Sequence, residues 1–521
     1  MSGAEGHVPP GLPSVHLEGD TLTIAAPAVP QFPLYWVRSR DDSYVIVCSC
    51  LEPLSRLLPR ASLSAQRIVC NIAGAVDADR GATVYAGIRR LLPSECVVAS
   101  SHGVRVERSL PRIGPRYRGG RVEDLAVELR DQLDAAVGRA IGPSGRVAVL
   151  ASGGLDSSGV LALAAARCGQ TGRLLRAISL QSKGPGDDRP YFALLTEALG
   201  VVPVLLRPAD AGKWVQKALC SDGQPACGGA AACLDMLFYE TAASLGADIA
   251  LCGSAGDYLC GGPLPFAQLA RRGHIVAALM GALRVRLPWS LSPWGRVRSM
   301  VLRPFLPKAL LRARSARAER RRWMTRRFRD LLESCRHAAD RNARRMPDTP
   351  DEWMAEWCEG NECVLPNIAD VGGQALAVTK AAVFDVFLDF DLVRFVLEID
   401  PVLLCHGHEY RGLYRLAMKG ILPESIRTRQ DKAGYDPAIA AAILASDGLE
   451  TLDDLSSLEA LAAAGLVDPS HFRPIFNRWL GAVRRGEREE SDPGDECGPQ
   501  VWQLLSAEAF LRQHGAGRDL R

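Results

Sequence analysis

No run of eighteen apolar residues occurs in this chain of 521 residues, so the sequence predicts no helix that spans a membrane. The stretch that comes nearest, residues 275–291, is interrupted by Arg284, Arg286 and Pro288. The N-terminal residues lack the basic segment and apolar core of a secretory signal. We therefore expect a cytoplasmic protein whose thiols are reduced.

Patterns typical of metal and nucleic-acid binding are also missing. The 15 cysteines form no CxxC pair, and Cys405 with His408 has no second pair to complete a zinc site. A net charge of +3 is too close to neutral to indicate a nucleic-acid partner. With 47% apolar and 23% charged residues, the chain is expected to fold around a core, with room for two or three domains.

Residues 1–120 are predicted to be rich in β-structure. Short apolar or alternating runs between turn residues indicate strands, which cover residues 22–26, 34–38, 44–48 and 95–99. An apolar stripe at helical spacing then predicts a helix over residues 122–141. We place a domain boundary at Gly120, followed by a second domain over residues 121–521 whose tail, from about residue 440, is helical.

From Arg146 onwards strands and helices are predicted to alternate. The predicted strands cover residues 147–150, 174–180, 201–206 and 249–251, and the helices cover residues 157–168, 191–199 and 237–245. Such alternation is typical of an α/β fold built on a doubly wound parallel sheet. After residue 265 the chain is predicted to be mostly helical, with an exposed loop at residues 484–498.

The motif VLASGGLDSS follows the first strand of this array. Glycine lets backbone amides approach a phosphate, and a helix N-terminus adds partial positive charge. Asp156 would repel a bare anion, but a Mg²⁺ ion that bridges it to pyrophosphate removes that conflict. The motif is neither a Walker A loop nor GxGxxG, and it resembles the SGGxDS loop of ATP pyrophosphatases. An ordinary turn with a serine cap is the alternative.

A second acidic turn, residues 251–262, follows the fourth strand with the sequence LCGSAGDYLCGG. Parallel sheets bind ligands at the carboxyl ends of their strands, so Asp156 and Asp257 are expected to share the Mg²⁺ of a bound pyrophosphate. The alternative is a plain glycine-rich loop capped by Asp257. The residues expected to contact ATP or pyrophosphate are Leu150, Ser152, Gly153, Gly154, Asp156, Ser157, Ser158 and Gly253.

With both turns in place, residues 122–440 resemble the synthetase domain of asparagine synthetase and of its relatives, β-lactam synthetase and the lasso peptide cyclases. The second turn resembles the family's GxGxDxxxGG segment, with Ala255 at its second glycine, and residues 386–401 and 422–437 resemble two further segments. The resemblance implies adenylation of a carboxylate by ATP. It also places Lys432 where the family keeps a lysine that touches the adenylate, although a surface lysine is the alternative.

Two departures from the family bear on the substrate. Residues 34–107 resemble only the second half of the glutaminase domain, without its N-terminal cysteine, so we expect a degenerate domain over residues 1–120 that makes no ammonia.

Ser254 stands where asparagine synthetase has Glu and β-lactam synthetase has Tyr, and serine is a poor base. Either another residue accepts the proton of the attacking amine, or the amine arrives already neutral. The resemblance implies Asp370 as the base, because the family keeps an acidic partner near that position, with Glu362 as a weaker candidate.

Lasso peptide cyclases are the better match, because they tolerate other residues at the position of Ser254 and continue in a helical tail. That resemblance implies a macrolactam synthetase acting on a precursor peptide, with a leader peptidase and a leader-binding protein as partners. Three alternatives stay open: a β-lactam or other small-molecule amide synthetase, a homologue of glutamine-hydrolysing asparagine synthase, and a non-catalytic scaffold.

Residues 311–345 contain 13 arginines against four acidic residues. Such a run is most often a solvated helix face. The alternatives are a basic wall that binds an acidic peptide or a protein partner, and a helix on a membrane surface. Trp289, Trp294 and Trp323 lie in or near the run and would favour the membrane alternative.

Overall fold

A computed structural model of the chain describes residues 11–39, 44–58, 61–75, 77, 79–114, 120–181, 187–261, 264–287, 291–306, 321–342, 349–359, 364–431, 434–486, 498–515 and 518–520. The strands are β1 Ser14–Glu18, β2 Thr21–Ala25, β3 Leu34–Arg38, β4 Val45–Cys48, β5 Arg89–Leu91, β6 Glu95–Ser100, β7 Gly103–Arg108, β8 Arg146–Leu150, β9 Leu174–Leu180, β10 Val202–Leu206, β11 Cys220–Ser221, β12 Gln224–Pro225, β13 Ile249–Cys252 and β14 Val383–Asp385. The α-helices are α1 Leu51–Leu57, α2 Ala65–Ala73, α3 Val122–Ile141, α4 Leu155–Thr171, α5 Arg189–Leu199, α6 Val215–Leu219, α7 Ala232–Ser244, α8 Gly256–Gly261, α9 Phe266–Arg271, α10 Ile275–Arg284, α11 Pro293–Arg296, α12 Arg326–Asn342, α13 Pro350–Glu359, α14 Val364–Thr379, α15 Phe390–Glu398, α16 Pro401–Leu404, α17 Gly412–Ala417, α18 Glu424–Arg427, α19 Asp436–Leu444, α20 Leu449–Leu455, α21 Glu459–Ala463, α22 Pro469–Arg485 and α23 Gly498–His514.

The N-terminal region forms two antiparallel sheets, with strand orders β1-β2-β6-β7 and β4-β3-β5. Leu34 and Leu91 of one sheet share a small core with Val97 of the other. The four predicted strands correspond to β2, β3, β4 and β6, each within one residue of its predicted bounds. The prediction of a β-rich region is confirmed.

The second region is built on a parallel sheet with the strand order β10-β9-β8-β13-β14. Successive side chains of a strand face opposite sides of a sheet. Ala148 and Ile178 belong to one large core, whereas their neighbours Val149 and Ala177 belong to another. Helices therefore cover both faces, as the doubly wound prediction requires. Pro203 lies in the edge strand β10, where a missing N–H breaks no interior ladder.

Strand β14 was not predicted from the sequence. It has only three residues, too few for a periodic pattern, and it pairs with β13 through Ala250 opposite Val383. Its last residue, Asp385, lies beside Cys252 at the carboxyl end of β13. The sheet therefore gains a fifth strand that brings a buried carboxylate to the edge where ligands are expected.

Hydrogen bonds between segments far apart in the chain connect the N-terminal region to the region of the parallel sheet. The amide of Gln31 donates to the carbonyl of Asp385 over 2.9 Å and accepts from its N–H over 3.0 Å, as a neighbouring strand would. Asp222 accepts from the N–H groups of Leu51 and Glu52 at the start of α1, over 2.7 and 3.0 Å. Burial raises the pKa of Asp222 to about 6, although these two backbone bonds act against that rise.

Cys70 of α2 and Cys335 of α12 are joined as a disulfide. The expectation that all thiols are reduced is wrong for this pair. The two residues are 265 positions apart, and only the packing of α2 against α12 brings them together, so spacing in the sequence gives no sign of the bond. As expected, none of the helices in the described part of the chain has the length and apolarity needed to span a bilayer.

Asp389, in the segment 386–401, joins two helices. Its carboxylate caps α15 by accepting from the N–H groups of Asp391 and Leu392, both over 3.1 Å. Arg139 of α3 donates to the same carboxylate over 2.8 and 2.6 Å. The Asp389 side chain is only 3% exposed, so its negative charge depends on these partners.

Replacing Arg139 by Met is expected to lower the free energy of unfolding by about 1–3 kcal/mol, because Asp389 stays buried without its cation. Arg146→Met is the matched control. Its ion pair with Asp248 is largely exposed, so its loss should cost less than about 1 kcal/mol. Urea denaturation measures both, and equal losses would contradict the structural role of Asp389.

Candidate active site

The loop between β8 and α4 depends on Gly153. Its φ of +85° is disfavoured for other residues, and a Cβ there would lie 2.8 Å from both the carbonyl oxygen of Asp188 and the amide nitrogen of Phe192. Ser152 turns back over the loop, since its N–H donates to the Ser157 hydroxyl over 3.1 Å. The backbone is thus held tightly against α5.

The first turn of α4 supplies the groups expected to hold an anion. Its N-cap, Gly154, donates its N–H to the hydroxyl of Ser152 over 3.2 Å. Ser158 is fully buried, and its hydroxyl has no hydrogen-bond partner within the described ranges. A buried hydroxyl at a helix N-terminus, next to a turn that only glycine allows, fits a phosphate oxygen as the absent partner.

The second turn packs directly on the first. A Cβ at Gly256 would lie 2.6 Å from the carboxyl carbon of Asp156, so glycine permits that approach. Ala255, which replaces the family's second glycine, is fully buried, and its N–H donates to Asp385 over 2.6 Å. Burial raises the pKa of Asp385 to about 7, and the nearby charge of Asp156 adds to that rise. Ala255 is therefore compatible with the turn.

Arg411 joins the two turns, and the sequence reasoning missed it. Its guanidinium donates to Asp156, and the same nitrogen lies 2.8 Å from a carboxylate oxygen of Asp257. Burial would lower the pKa of Arg411, but the two carboxylates outweigh burial and raise the pKa above its ordinary value. The two aspartates thus lie within reach of one cation, as expected for residues that share a ligand.

The turn before α17 positions Arg411 itself. Arg411 has a left-handed φ of 59°, and a Cβ on the next residue, Gly412, would lie 1.9 Å from the carbonyl oxygen of His406. The hydroxyl of Tyr410 donates to the backbone carbonyl of Asp257 over 3.2 Å. A strained backbone is retained here because contacts on both sides fix it.

The two aspartates fit a magnesium ion that is also held by phosphate oxygens. Mg²⁺ binds through one or two carboxylates and completes its shell with phosphate and water oxygens. The part of the chain that the structure describes has no group of three or more His, Cys, Asp or Glu residues able to hold a metal alone. Asp156 and Asp257 would therefore bind Mg²⁺ together with its nucleotide, with Arg411 as a third charge at the phosphates.

Arg429 supports the phosphate loop from behind and was also not predicted. It donates to Asp188 over 2.5 Å and to Asp431 over 2.7 Å, and it stacks 4.0 Å from the ring centre of Tyr191. It also reaches the carbonyl of Gly153 over 3.4 Å. Its position in the segment 422–437 was the available signal, but the pattern itself pointed only to the lysine.

The predicted catalytic residues have different positions. Lys432 and Glu362 lie outside the described residues, so their roles stay predictions. Ser254 is exposed at the carboxyl end of β13, with its hydroxyl 3.6 Å from the Cys252 sulfur. Leu150 ends β8 and is partly buried beside the loop.

Asp370 is buried between the two regions of the chain. Arg90 donates to one of its oxygens over 2.6 Å and the hydroxyl of Tyr35 to the other over 3.2 Å. Gln224 in turn donates to Tyr35 over 3.1 Å. Asp370 is thus a buried carboxylate that is held by an ion pair and a hydrogen bond, and its role as a base stays a prediction.

Asp235, in the first turn of α7, is a carboxyl group that sequence reasoning missed. It is partly buried and has no hydrogen bond or ion pair to any described residue. Burial raises its pKa to about 7. Tyr239, one turn further along α7, has its pKa raised by burial and then by Cys252, Asp235 and Asp385. Asp235 therefore lies within electrostatic range of the carboxyl end of the sheet.

The chain matches a known protein family over most of its length. A family model described as asparagine synthase matches residues 128–512, more than half of the chain. The chain belongs to the asparagine synthase family. This asparagine synthase relative is therefore an ATP-dependent ligase, as predicted. The match begins in α3 and extends into α23, so it includes most of the helical tail.

Neither the curated proteins nor the solved structures add to this family assignment. No curated protein matched the sequence of this asparagine synthase relative. Among solved structures, the U34-tRNA thiolase NcsA from Methanococcus maripaludis, determined with its [4Fe-4S] cluster, has 16% sequence identity and a TM-score of 0.24. The alignment covers 47% of the ligase and 80% of the thiolase. At that TM-score the similarity supports no conclusion about the ligase.

Gly153→Ala is expected to weaken Mg-ATP binding by at least about tenfold, because the added methyl group meets backbone atoms and moves the loop. Gly172→Ala is the control. Gly172 ends the same helix with a φ of +66°, but its Cβ would meet nothing within 4 Å. It should lose about 1 kcal/mol of stability and retain binding. Calorimetric titration with Mg-ATP measures this, and equal affinities in the two variants would contradict the assignment of the loop.

Proposed function

We propose that this ligase adenylates the side-chain carboxylate of an Asp or Glu in a precursor peptide and then closes a macrolactam ring onto the N-terminal amine of that peptide, as in lasso peptide biosynthesis. The observation that carries the ATP-dependent half is the convergence of Asp156, Asp257 and Arg411 on the loop of Gly153. The choice of a peptide substrate is supported by the departures from the asparagine synthetase pattern.

The first reaction requires ATP to be cleaved between its α and β phosphates. The carboxylate oxygen attacks the α-phosphorus, the acyl-adenylate forms, and pyrophosphate leaves. The amides and hydroxyls of residues 152–158 and the guanidinium of Arg411 would bind the charge of the departing pyrophosphate. Bound Mg²⁺, held by Asp156 and Asp257, would supply additional charge neutralisation there.

The second reaction joins the amine to the activated carbonyl. The amine nitrogen attacks, its proton is lost, and AMP leaves as the amide forms. Negative charge develops on the acyl oxygen and the α-phosphate, which is where the predicted role of Lys432 would apply. An enzyme that holds both ends of one peptide close together replaces a bimolecular step by a unimolecular one.

Residues 1–120 are proposed to be a degenerate glutaminase-like domain that supports the synthetase domain at residues 121–521. The two antiparallel sheets are consistent with that origin. Their side chains serve structural contacts: Gln31 pairs with the backbone of Asp385, and Arg90 pairs with Asp370. A region that makes no ammonia leaves an amine of the substrate as the nucleophile.

Asp235 is a second candidate for the proton acceptor besides Asp370. A catalytic base is most effective when its pKa lies near the working pH. Burial gives Asp235 a pKa of about 7, and no described residue competes for its oxygens. Asp370, in contrast, is held by Arg90 and Tyr35. We therefore favour Asp235.

The alternative functions differ in the substrate and the nucleophile that the same site would have to accept. A β-lactam or other small-molecule amide synthetase would use the same loop and differ only in its substrate. A homologue of asparagine synthase would require free ammonia as the nucleophile. A non-catalytic scaffold is disfavoured by the intact contacts around Gly153 and Asp156.

The purified chain, given Mg-ATP and a linear core peptide with an Asp or Glu at ring-forming distance, is expected to release AMP and pyrophosphate while the peptide loses the mass of one water. Asp156→Asn should lower the rate by at least about a hundredfold, because the loop loses a charge at the phosphates. Asp248→Asn is the matched control, since Asp248 precedes β13 at the opposite end of the strand and is partly exposed. Liquid chromatography with mass detection follows nucleotides and peptide together.

Release of ADP and orthophosphate would refute the adenylation mechanism. Turnover with β-amino acids but not with peptides would keep the mechanism and transfer the function to a small-molecule synthetase. Equal activity of the Asp156→Asn and Asp248→Asn variants would refute the site.

The pH dependence of turnover is expected to distinguish the two candidate bases. A carboxylate accepts a proton only when it is ionised, so a base whose pKa is about 7 makes the rate rise between about pH 6 and about pH 8 and then level off. Asp235→Asn should lower the rate on the high-pH plateau at least about tenfold and remove the rise between about pH 6 and about pH 8. Asp370→Asn should keep this rise. If Asp370→Asn removes the rise and Asp235→Asn keeps it, the base is Asp370.

A further inference from the structure

Residues 264–287 and 291–306, which follow the turn of Asp257, form a separate helical unit. Helices α9, α10 and α11 and the turns after them pack around a small core of their own, which contains Phe266, Ala278, Ala282, Val285, Val297 and Val301. The unit is anchored to the rest of the chain by Arg286, which exchanges backbone hydrogen bonds with the segment 408–410 and pairs with Glu409 over 3.1 Å. It therefore has a fixed attachment close to Arg411.

Helix α10 packs three small residues against the core of the unit and exposes three large apolar ones, whereas Leu279 and Leu283 are partly buried against that core. Ala278, Gly281 and Ala282 face the core, and a Cβ at Gly281 would lie 2.6 Å from the ring of Phe266. Ile275 is exposed at the start of the helix, and Val276, which lies on a different face from these three residues, has 75% of its surface accessible. Met280, one turn further along, continues this face. Folding of the chain leaves the Val276 and Met280 side chains in contact with water, so this face is suited to an apolar partner.

Other large apolar side chains of the unit are exposed as well. Trp294 in α11 is 77% exposed, and Leu302 and Phe305 are about half exposed. Of the other two tryptophans considered from the sequence, Trp323 is buried against Phe328 and Trp289 lies outside the described residues. Trp294 and Phe305 are thus aromatic side chains of this unit that are available at a surface.

The unit carries positive charge without any negative charge. From residue 258 to residue 318 the sequence has ten arginines and one lysine and no Asp or Glu. Arg284, Arg298 and Arg303 are exposed and form no ion pair with any residue that the structure describes. A helical unit that exposes large apolar side chains together with unopposed arginines has the character of a surface that binds a negatively charged, apolar partner.

We propose that this helical unit docks the enzyme on the surface of a membrane that contains anionic phospholipids. Exposed aliphatic and indole side chains enter the boundary between headgroups and acyl chains, and arginines bind the phosphates. A second copy of the chain would oppose like charges across the face, and aliphatic side chains offer no stacking surface for nucleic-acid bases. An anionic lipid surface satisfies both the apolar and the charged features.

The test is sedimentation of the full-length chain with lipid vesicles. Vesicles that contain phosphatidylglycerol should carry the protein into the pellet, and vesicles of phosphatidylcholine alone should bind at least about tenfold less. Raising the salt concentration from about 0.1 M to about 1 M shortens the Debye length from about 10 Å to about 3 Å and should weaken binding. The pair Val276→Ser with Met280→Ser should reduce binding at least about tenfold, since both side chains are on the exposed face.

Matched control variants show whether binding requires this surface or only exposed apolar side chains and positive charge anywhere on the protein. Val15→Ser with Leu17→Ser removes two exposed apolar side chains from β1 and should leave binding within about twofold. Replacing Arg284, Arg298 and Arg303 by Ser should reduce binding at least about tenfold, whereas replacing Arg56, Arg105 and Arg121 removes the same charge elsewhere and should have little effect.

Two results would overturn the proposal. One is a protein that stays in the supernatant with phosphatidylglycerol vesicles, or whose control variants lose binding as much as the surface variants. The other is an oligomer that Val276→Ser with Met280→Ser converts to a monomer in sedimentation velocity, which would identify a second copy as the occupant of this face.

Discussion

The site depends on two carboxylates that are placed side by side and need a positive charge between them. Asp156 follows one strand, Asp257 follows its neighbour in the sheet, and the backbone brings both to one point because glycines allow the turns to touch. Like charges at this distance repel strongly in a partly buried place. Arg411 neutralises them in this structure, and a magnesium ion with its nucleotide would do so in the proposed reaction.

Each part of the fold contributes to that pair of turns. Strand β14 carries Asp385 to the second turn, where it accepts from Ala255, and Gln31 of the N-terminal region binds the backbone of Asp385. The helical unit of residues 264–287 and 291–306 is joined through Arg286 to Glu409, two positions before Arg411. The N-terminal region and the helical unit are therefore connected to the site through short chains of contacts.

Much of this architecture could be predicted, since the buried strands are continuous apolar runs and the SGGLDSS loop has a recognisable chemistry. The parallel sheet with helices on both faces is confirmed on that basis, whereas the role of Asp156 at a phosphate stays a prediction. Arg411 and Asp235 were missed because nothing in their local sequence distinguishes them from surface charges, and Arg429 was missed although it lies in the segment 422–437 that resembles the family. The disulfide of Cys70 with Cys335 was missed because its partners meet only through helix packing.

The sequence by itself determined eight of the fourteen strands in the described part of the chain, the glycine-rich turn between β8 and α4, and membership in a family of ATP-dependent ligases, because these rest on periodicity and on short motifs whose residues act together locally. Only the tertiary structure decided which charges meet. It placed Asp370 between Arg90 and Tyr35, left Asp235 without an ion pair among the described residues, and set Arg411 between two aspartates. Such pairings join residues a hundred or more positions apart, and electrostatic energy depends on their separation in space and on burial rather than on their order in the chain.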